Sequence, residues 1–207
     1  EVVLTFDDGP LRRYTQPILD ALDSHCLKAT FFMVGRMALS DPAMVKTIMR
    51  RGHTVANHTW SHQKLASLSP DQARAEIELG FSAVQKAAGA PIAPFFRFPY
   101  LSDPKSAQAY LQSRRVGIFS IEVDAYDYRT PAAAGVIRNV MSQLQAKRKG
   151  IILFHDIQPS SAAALRTLLG ELKARGFRVV HIVPKVAAQT VAAYDAKVDP
   201  ELKRREA

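Results

Sequence analysis

The chain has 207 residues, 47% of them apolar, which suits one domain with a sizeable buried core. Its longest apolar runs, GIILF and FRVVHIV, are too short to span a bilayer. Twenty-eight lysines and arginines against 19 acidic residues give a net charge of +9, which raises the question of a nucleic-acid or acidic-polymer partner. The cations are placed against it: Arg50-Arg51, Arg114-Arg115, Lys147-Arg148-Lys149 and the pair Lys173 and Arg175 each precede a glycine by one or two residues. Helices end in this way, and cations there complement the helix dipole. Nucleic acid is therefore not expected as a partner, and a basic face for an acidic polymer is the lesser reading. The single cysteine, Cys26, excludes an internal disulfide and is expected as a small buried or half-buried thiol in a helix. No leader pattern opens the chain, so a mature or trimmed form is expected.

In chain order, candidate strands are residues 2–6, 29–34, 53–57, 95–98, 116–123, 151–154 and 177–183. Helix starts fall between them at Asp41-Pro42, Ser69-Pro70, Asp103-Pro104 and Thr130-Pro131, each pairing a capping side chain with a proline. After Ser69, residues Ile77, Phe81 and Val84 keep one helix face apolar. Strands alternating with helices predict an α/β fold with a parallel sheet, while periodicity leaves open whether the sheet closes. Residues 185–207 hold one more candidate helix, VAAQTVAAYDAKV, and a charged end, PELKRREA, expected to be mobile.

The polar residues that packing does not explain all follow strands on the C-terminal side: TFDDGP, HTWSH, FRFPY, VDAYDY and LFHD. In parallel α/β folds that edge is where loops converge on a ligand. In TFDDGP, Asp7 and Asp8 are adjacent anions, which repel unless something positive lies between them. His58 and His62, four apart, suit a transition metal, although surface histidines share that spacing. One carboxylate, from Asp7 or Asp8, would complete a two-His, one-Asp set with positions open for water and substrate. Trp60 between them is either core filling or a sugar platform. His155, at the mouth of the run Ile151 to Phe154, is placed for acid–base work or is a hydrogen-bonded structural histidine. Arg97, among phenylalanines, needs an anion if buried, and the spare carboxylate of TFDDGP is the candidate; a snorkelling surface arginine is the rival. Asp124 and Asp127 read as turn residues, or one of them orients His155. His25, His53 and His181 read as structural.

These five motifs, in this order and spanning residues 5 to 156, resemble those of the polysaccharide deacetylase family, which includes chitin, chitooligosaccharide and peptidoglycan N-acetylglucosamine deacetylases and some acetylxylan esterases. The resemblance implies a distorted (β/α) barrel of about seven parallel strands, with residues 1–184 as the catalytic domain. It implies Asp7 as catalytic base, Asp8, His58 and His62 as ligands of a divalent metal, and Arg97 as the residue that holds the base. It also implies the backbone amide of Tyr100 as an oxyanion donor, Asp127 as the partner of a general acid His155, and Leu153 as lining for the acetyl methyl. Zinc is the first choice of metal, with cobalt, nickel and manganese as alternatives, acidifying a bound water and polarising the acetyl carbonyl. Two positions depart from the pattern: Tyr128, behind His155, where tryptophan is usual, and Leu101, after RFPY, where glycine is usual.

The expected partner is an N-acetylated glycan, and the expected location is the periplasm or outside the cell. An O-acetyl esterase acting on xylan is the nearest alternative. A non-catalytic glycan-binding protein would be marked by loss of a ligand or of the base, and none is lost.

Overall fold

The computed structural model describes the backbone of residues 1–206 and the side chains of residues 1–200. Seven parallel strands form one sheet: β1 (Val2–Asp7), β2 (Thr30–Met33), β3 (Thr54–Asn57), β4 (Phe95–Phe96), β5 (Gly117–Ile118), β6 (Val123–Asp124) and β7 (Gly150–His155). Their order is β5-β4-β3-β2-β1-β7-β6, which puts β5 and β6 on opposite edges. Only residues 119–122 join those two strands. A flat seven-stranded sheet would separate its edges by about 29 Å, six spacings of about 4.8 Å, whereas Ile118 to Val123 reaches at most about 18 Å. The sheet must curl, and the result is a distorted barrel with its gap between β5 and β6.

Among the described residues eight α-helices accompany the strands: α1 (Arg12–Ser24), α2 (Gly35–Ser40), α3 (Pro42–Arg50), α4 (Pro70–Ala88), α5 (Lys105–Ser113), α6 (Ala133–Lys147), α7 (Pro159–Ala174) and α8 (Ala192–Glu206). Along β1, alternation assigns the two faces. Leu4 and Phe6 join the main core with the helices, where Phe6 stacks on Phe31 and Phe154. Thr5 and Asp7 share Nη1 of Arg97 on the other face. A second, smaller apolar cluster of Phe32, Ala56 and Ala93 packs with Phe95 and Phe119.

The structure corrects several expectations. The strand expected over 116–123 is two strands on opposite edges, because the chain has to cross the barrel gap within it. The strand expected over 177–183 is a single bridge, Val2 to Val179, because β2 begins opposite Thr5 and only the start of β1 is left to pair. Asp41 and Ser69 cap α3 and α4, the latter in a reciprocal box with Gln72. Asp103 and Thr130 cap nothing: α5 and α6 start at Lys105 and Ala133, and the two side chains accept from Gln108 and Asn139 instead. Cys26 lies beyond the end of α1, exposed, with φ at +54°. The C-terminal helix starts at Ala192 rather than at residue 186, and the side chains of ELKRREA lie outside the described residues.

One glycine bears directly on the site. A Cβ on Gly80 of α4 would lie 2.2 Å from Asn57 Oδ1 and 2.6 Å from the Thr59 backbone, so its absence lets α4 press against the loop that follows β3. Gly80→Ala should lower the unfolding free energy by about 2 kcal/mol, the usual cost of overpacking, and urea denaturation would measure it.

Candidate active site and metal centre

Asp7 ends β1 in register with His155 at the end of β7, so the central strand pair sets one carboxylate beside one imidazole. In a continuing strand Asp8 would point to the opposite face from Asp7. Instead Asp8 turns left-handed, with φ at +77°, and both carboxylates line the same cavity of about 410 Å³. That cavity is also lined by His58, His62, Tyr100, Leu101, Asp124, Tyr128, Leu153 and His155.

The Nε2 atoms of His58 and His62 approach Asp8 Oδ1 at 3.4 and 3.2 Å. One ligand atom from each of the three residues lies within 4.8 Å of the others. Asp8 Oδ1 is buried and has no hydrogen-bond partner among the described residues, a costly state unless something positive meets it. His58 Nδ1 lies 2.8 Å from the Arg97 carbonyl, so the ring donates there and keeps its Nε2 lone pair for the cavity. Burial lowers the pKa of His62, which favours the neutral, ligating form. Burial pushes the Asp8 carboxyl up, but the His58 ring beside it and the charges of His155 and His62 outweigh this and hold it at about 2. Two imidazole nitrogens and a carboxylate oxygen, converging on an unsatisfied acceptor, fit a divalent transition metal with positions left open.

Arg97, just past β4, is fully buried. Its Nη1 donates to Asp7 Oδ1 at 2.7 Å and Thr5 Oγ1 at 2.8 Å, and its Nη2 donates to the Ser120 carbonyl at 3.2 Å. The guanidinium lies 4.3 Å from the centre of the Phe32 ring. The snorkelling alternative is thereby excluded. The two anions of TFDDGP are thus treated differently, Asp7 paired with arginine and Asp8 facing two imidazoles.

Asp127 is 2% exposed and binds His155 twice, accepting the backbone N–H on Oδ2 at 2.7 Å and facing ring Nδ1 with Oδ1 at 2.7 Å. Burial alone would lower the His155 pKa, but the bond to Asp127 and the charges of Asp127, Asp7 and Asp8 push it up to about 9. Of the two aspartates left open by the sequence, Asp127 is therefore the partner of His155. Asp124 lies in the cavity wall, its Oδ1 accepting the Tyr126 N–H.

Tyr128 faces the His155 ring edge-on at 5.7 Å. Leu101 has φ at +52°, a conformation that favours glycine, so the departure from the expected glycine leaves a bulky residue in a left-handed turn on the cavity rim. Trp60 does not line this cavity: it is partly buried against the core, beside Gly35 and under Arg36, which makes it a packing residue. Two buried carboxylates that brace the loops of the site went unassigned in the sequence. Glu76 accepts the N–H and hydroxyl of Ser61 at 2.9 and 2.7 Å, bracing the loop between the two histidines. Asp156 accepts from Gly9 and Thr15. Neither carries a periodic signal, and for Asp156 adjacency to His155 was the only hint.

The polysaccharide deacetylase family model matches residues 1–117. A peptidoglycan-N-acetylglucosamine deacetylase of Bacillus cereus is 35% identical over 185 residues, covering 87% of this chain and 66% of that protein. A chitooligosaccharide deacetylase of a Bradyrhizobium species is 32% identical, covering 89% and 90%. The solved structure of a Bdellovibrio bacteriovorus peptidoglycan deacetylase superposes with a TM-score of 0.83 at 34% identity, covering 89% of this chain and 52% of that one. The chain thus spans about two thirds of the first of these relatives and about half of the last. It belongs to the polysaccharide deacetylase family, a family of metal-dependent carbohydrate deacetylases.

Removing Arg97 strands Asp7 as an uncompensated buried charge. Arg97→Met should lower the unfolding free energy by about 3 kcal/mol, read by urea denaturation, and adding Asp7→Asn should recover part of the loss. His155 has a folded pKa raised above the usual 6.5. The stability it contributes is therefore fully present below pH 6.5 and lost as pH rises through about 9. In metal-free protein, the difference in unfolding free energy between wild type and His155→Gln should shrink across that window.

Proposed function

We propose that this chain hydrolyses N-acetyl groups from a GlcNAc-containing glycan, peptidoglycan or a chitooligosaccharide. The observation that supports this best is the convergence of an arginine-paired carboxylate, a two-His, one-Asp set and a carboxylate-paired histidine on one cavity. Asp8, His58 and His62 would hold the ion, zinc by preference; when bound it supplies Lewis-acid chemistry, acidifying water and polarising an acetyl carbonyl.

Asp7 then takes the proton of the attacking water, with Arg97 holding its other side. The backbone N–H of Tyr100 would donate to the oxygen on which negative charge gathers. His155 gives its proton to the leaving nitrogen, because an amine anion is too poor a leaving group. Asp127 serves that step by engaging Nδ1, which leaves Nε2 to face the cavity, and by keeping the ring protonated near neutral pH. Leu153 and Tyr128 form the wall against which the acetyl methyl would lie. A polymer substrate of this kind suits a periplasmic or secreted protein.

Acetate release from chitotetraose and from peptidoglycan should be measurable, should cease with a chelator and should return with zinc. Asp7→Asn should reduce turnover by ~10²- to 10⁴-fold, the range for loss of a general base. Full turnover in Asp7→Asn would overturn the mechanism, and acetate from acetylxylan alone would replace the amide substrate with an ester.

A further inference from the structure

We propose that Asp156 is a positioning residue that sets the loop carrying Asp7 and Asp8, so that the metal-binding carboxylate is in place before an ion arrives. Asp156 follows the acid His155 directly and is 1% exposed. Its Oδ1 accepts the Gly9 N–H at 3.0 Å and its Oδ2 accepts the Thr15 hydroxyl at 2.7 Å. Thr15, also fully buried, accepts the Leu11 N–H at 2.9 Å. The Asp156 N–H itself donates to the Asp7 carbonyl at 3.3 Å. One residue thus holds the segment from Asp7 to Leu11 directly at two backbone points, Asp7 and Gly9, and at a third, Leu11, through the Thr15 hydroxyl.

The fit is tight, since a Cβ on Gly9 would lie 2.1 Å from both carboxylate oxygens. Any side chain at position 9 would push the loop off this anchor. The carboxylate is also expensive to keep. It is buried without an ion pair among the described residues, burial pushes its pKa up to about 7, and a buried carboxyl is costly unless its oxygens are satisfied. Filling the space would need only an apolar side chain. What a carboxylate adds is two acceptors on one rigid group, aimed at two donors on either side of the loop. The residue just before Gly9 is Asp8, whose left-handed backbone departs from strand geometry and needs support from its surroundings. Groups that orient a metal ligand in this way typically govern metal affinity by about 10- to 100-fold.

The inference rests on Asp8 being a metal ligand, as in the reading above, but its readout is metal binding rather than acetate. Zinc affinity of the metal-free full chain would be measured by competition with a chromophoric chelator, alongside thermal unfolding, for wild type, Asp156→Ala, Asp156→Asn and Glu78→Gln. Glu78 is an equally buried carboxylate bonded to Tyr110 of α5 and to Arg114 just after it rather than to the site, and it reports the effect of lost stability alone. Asp156→Ala should weaken zinc binding by about tenfold or more. Asp156→Asn, which keeps an acceptor for Gly9, should restore most of it, and Glu78→Gln should lower the melting temperature without changing zinc affinity. Wild-type zinc affinity in Asp156→Ala, or an equal loss in Glu78→Gln, would overturn the proposal. If Asp156→Ala does not fold, Thr15→Val, which removes one of the two bonds to the carboxylate, decides the matter: weakened zinc binding supports the proposal and wild-type affinity overturns it. Wild-type protein that binds zinc but releases no acetate would end the proposed function and leave this inference standing.

Discussion

The buried guanidinium of Arg97 is the interaction on which both fold and site depend. It sits just past β4, faces Asp7 on the central strand and reaches the Ser120 carbonyl in the segment that crosses the barrel gap. A charge so far from water is tolerable only if its donors are met, and here they are met by a carboxylate, a threonine hydroxyl and backbone carbonyls. The same contacts tie the end of β4 to the central strand and to the segment that crosses the gap. The Arg97 carbonyl, in turn, sets the tautomer of His58. A single residue therefore connects the strand ends around the barrel gap, the pairing of Asp7 and the orientation of the His58 ring.

Around that arginine, charge is distributed by pairing each group with a different partner. Asp7 has a guanidinium, Asp8 has two imidazoles, and His155 has Asp127. This separates the chemistry of two neighbouring aspartates that a strand alone would have sent to opposite faces. The left-handed turn at Asp8 brings them into one cavity, and the buried carboxylates Asp156 and Glu76 brace the loops on either side. The site is thus two layers deep, with groups that face the cavity and groups that hold them still.

Much of the site was legible in the sequence because its residue types are chemically expensive anywhere else. Adjacent aspartates, histidines four apart and an arginine amid phenylalanines each demand a partner, and five such segments in order at strand ends point to one edge. Asp156 and Glu76 escaped because a single acid just past a strand or within a helix looks like any solvated residue until burial is known. Trp60 stayed undecided for the converse reason: an indole serves equally in a core or against a sugar, and only its neighbours tell the two apart.

The sequence alone determined the alternation of strands and helices, the helix starts at Asp41 and Ser69, and the set of groups able to hold an ion and move a proton. These are local properties, set by spacing and side-chain chemistry. Only the tertiary structure decided that residues 116–123 divide between opposite sheet edges, that Trp60 packs away from the cavity, and that Asp156 underlies the loop of Asp7 and Asp8. Each of those outcomes depends on which distant segments lie side by side, a matter of barrel closure and burial that no local pattern encodes.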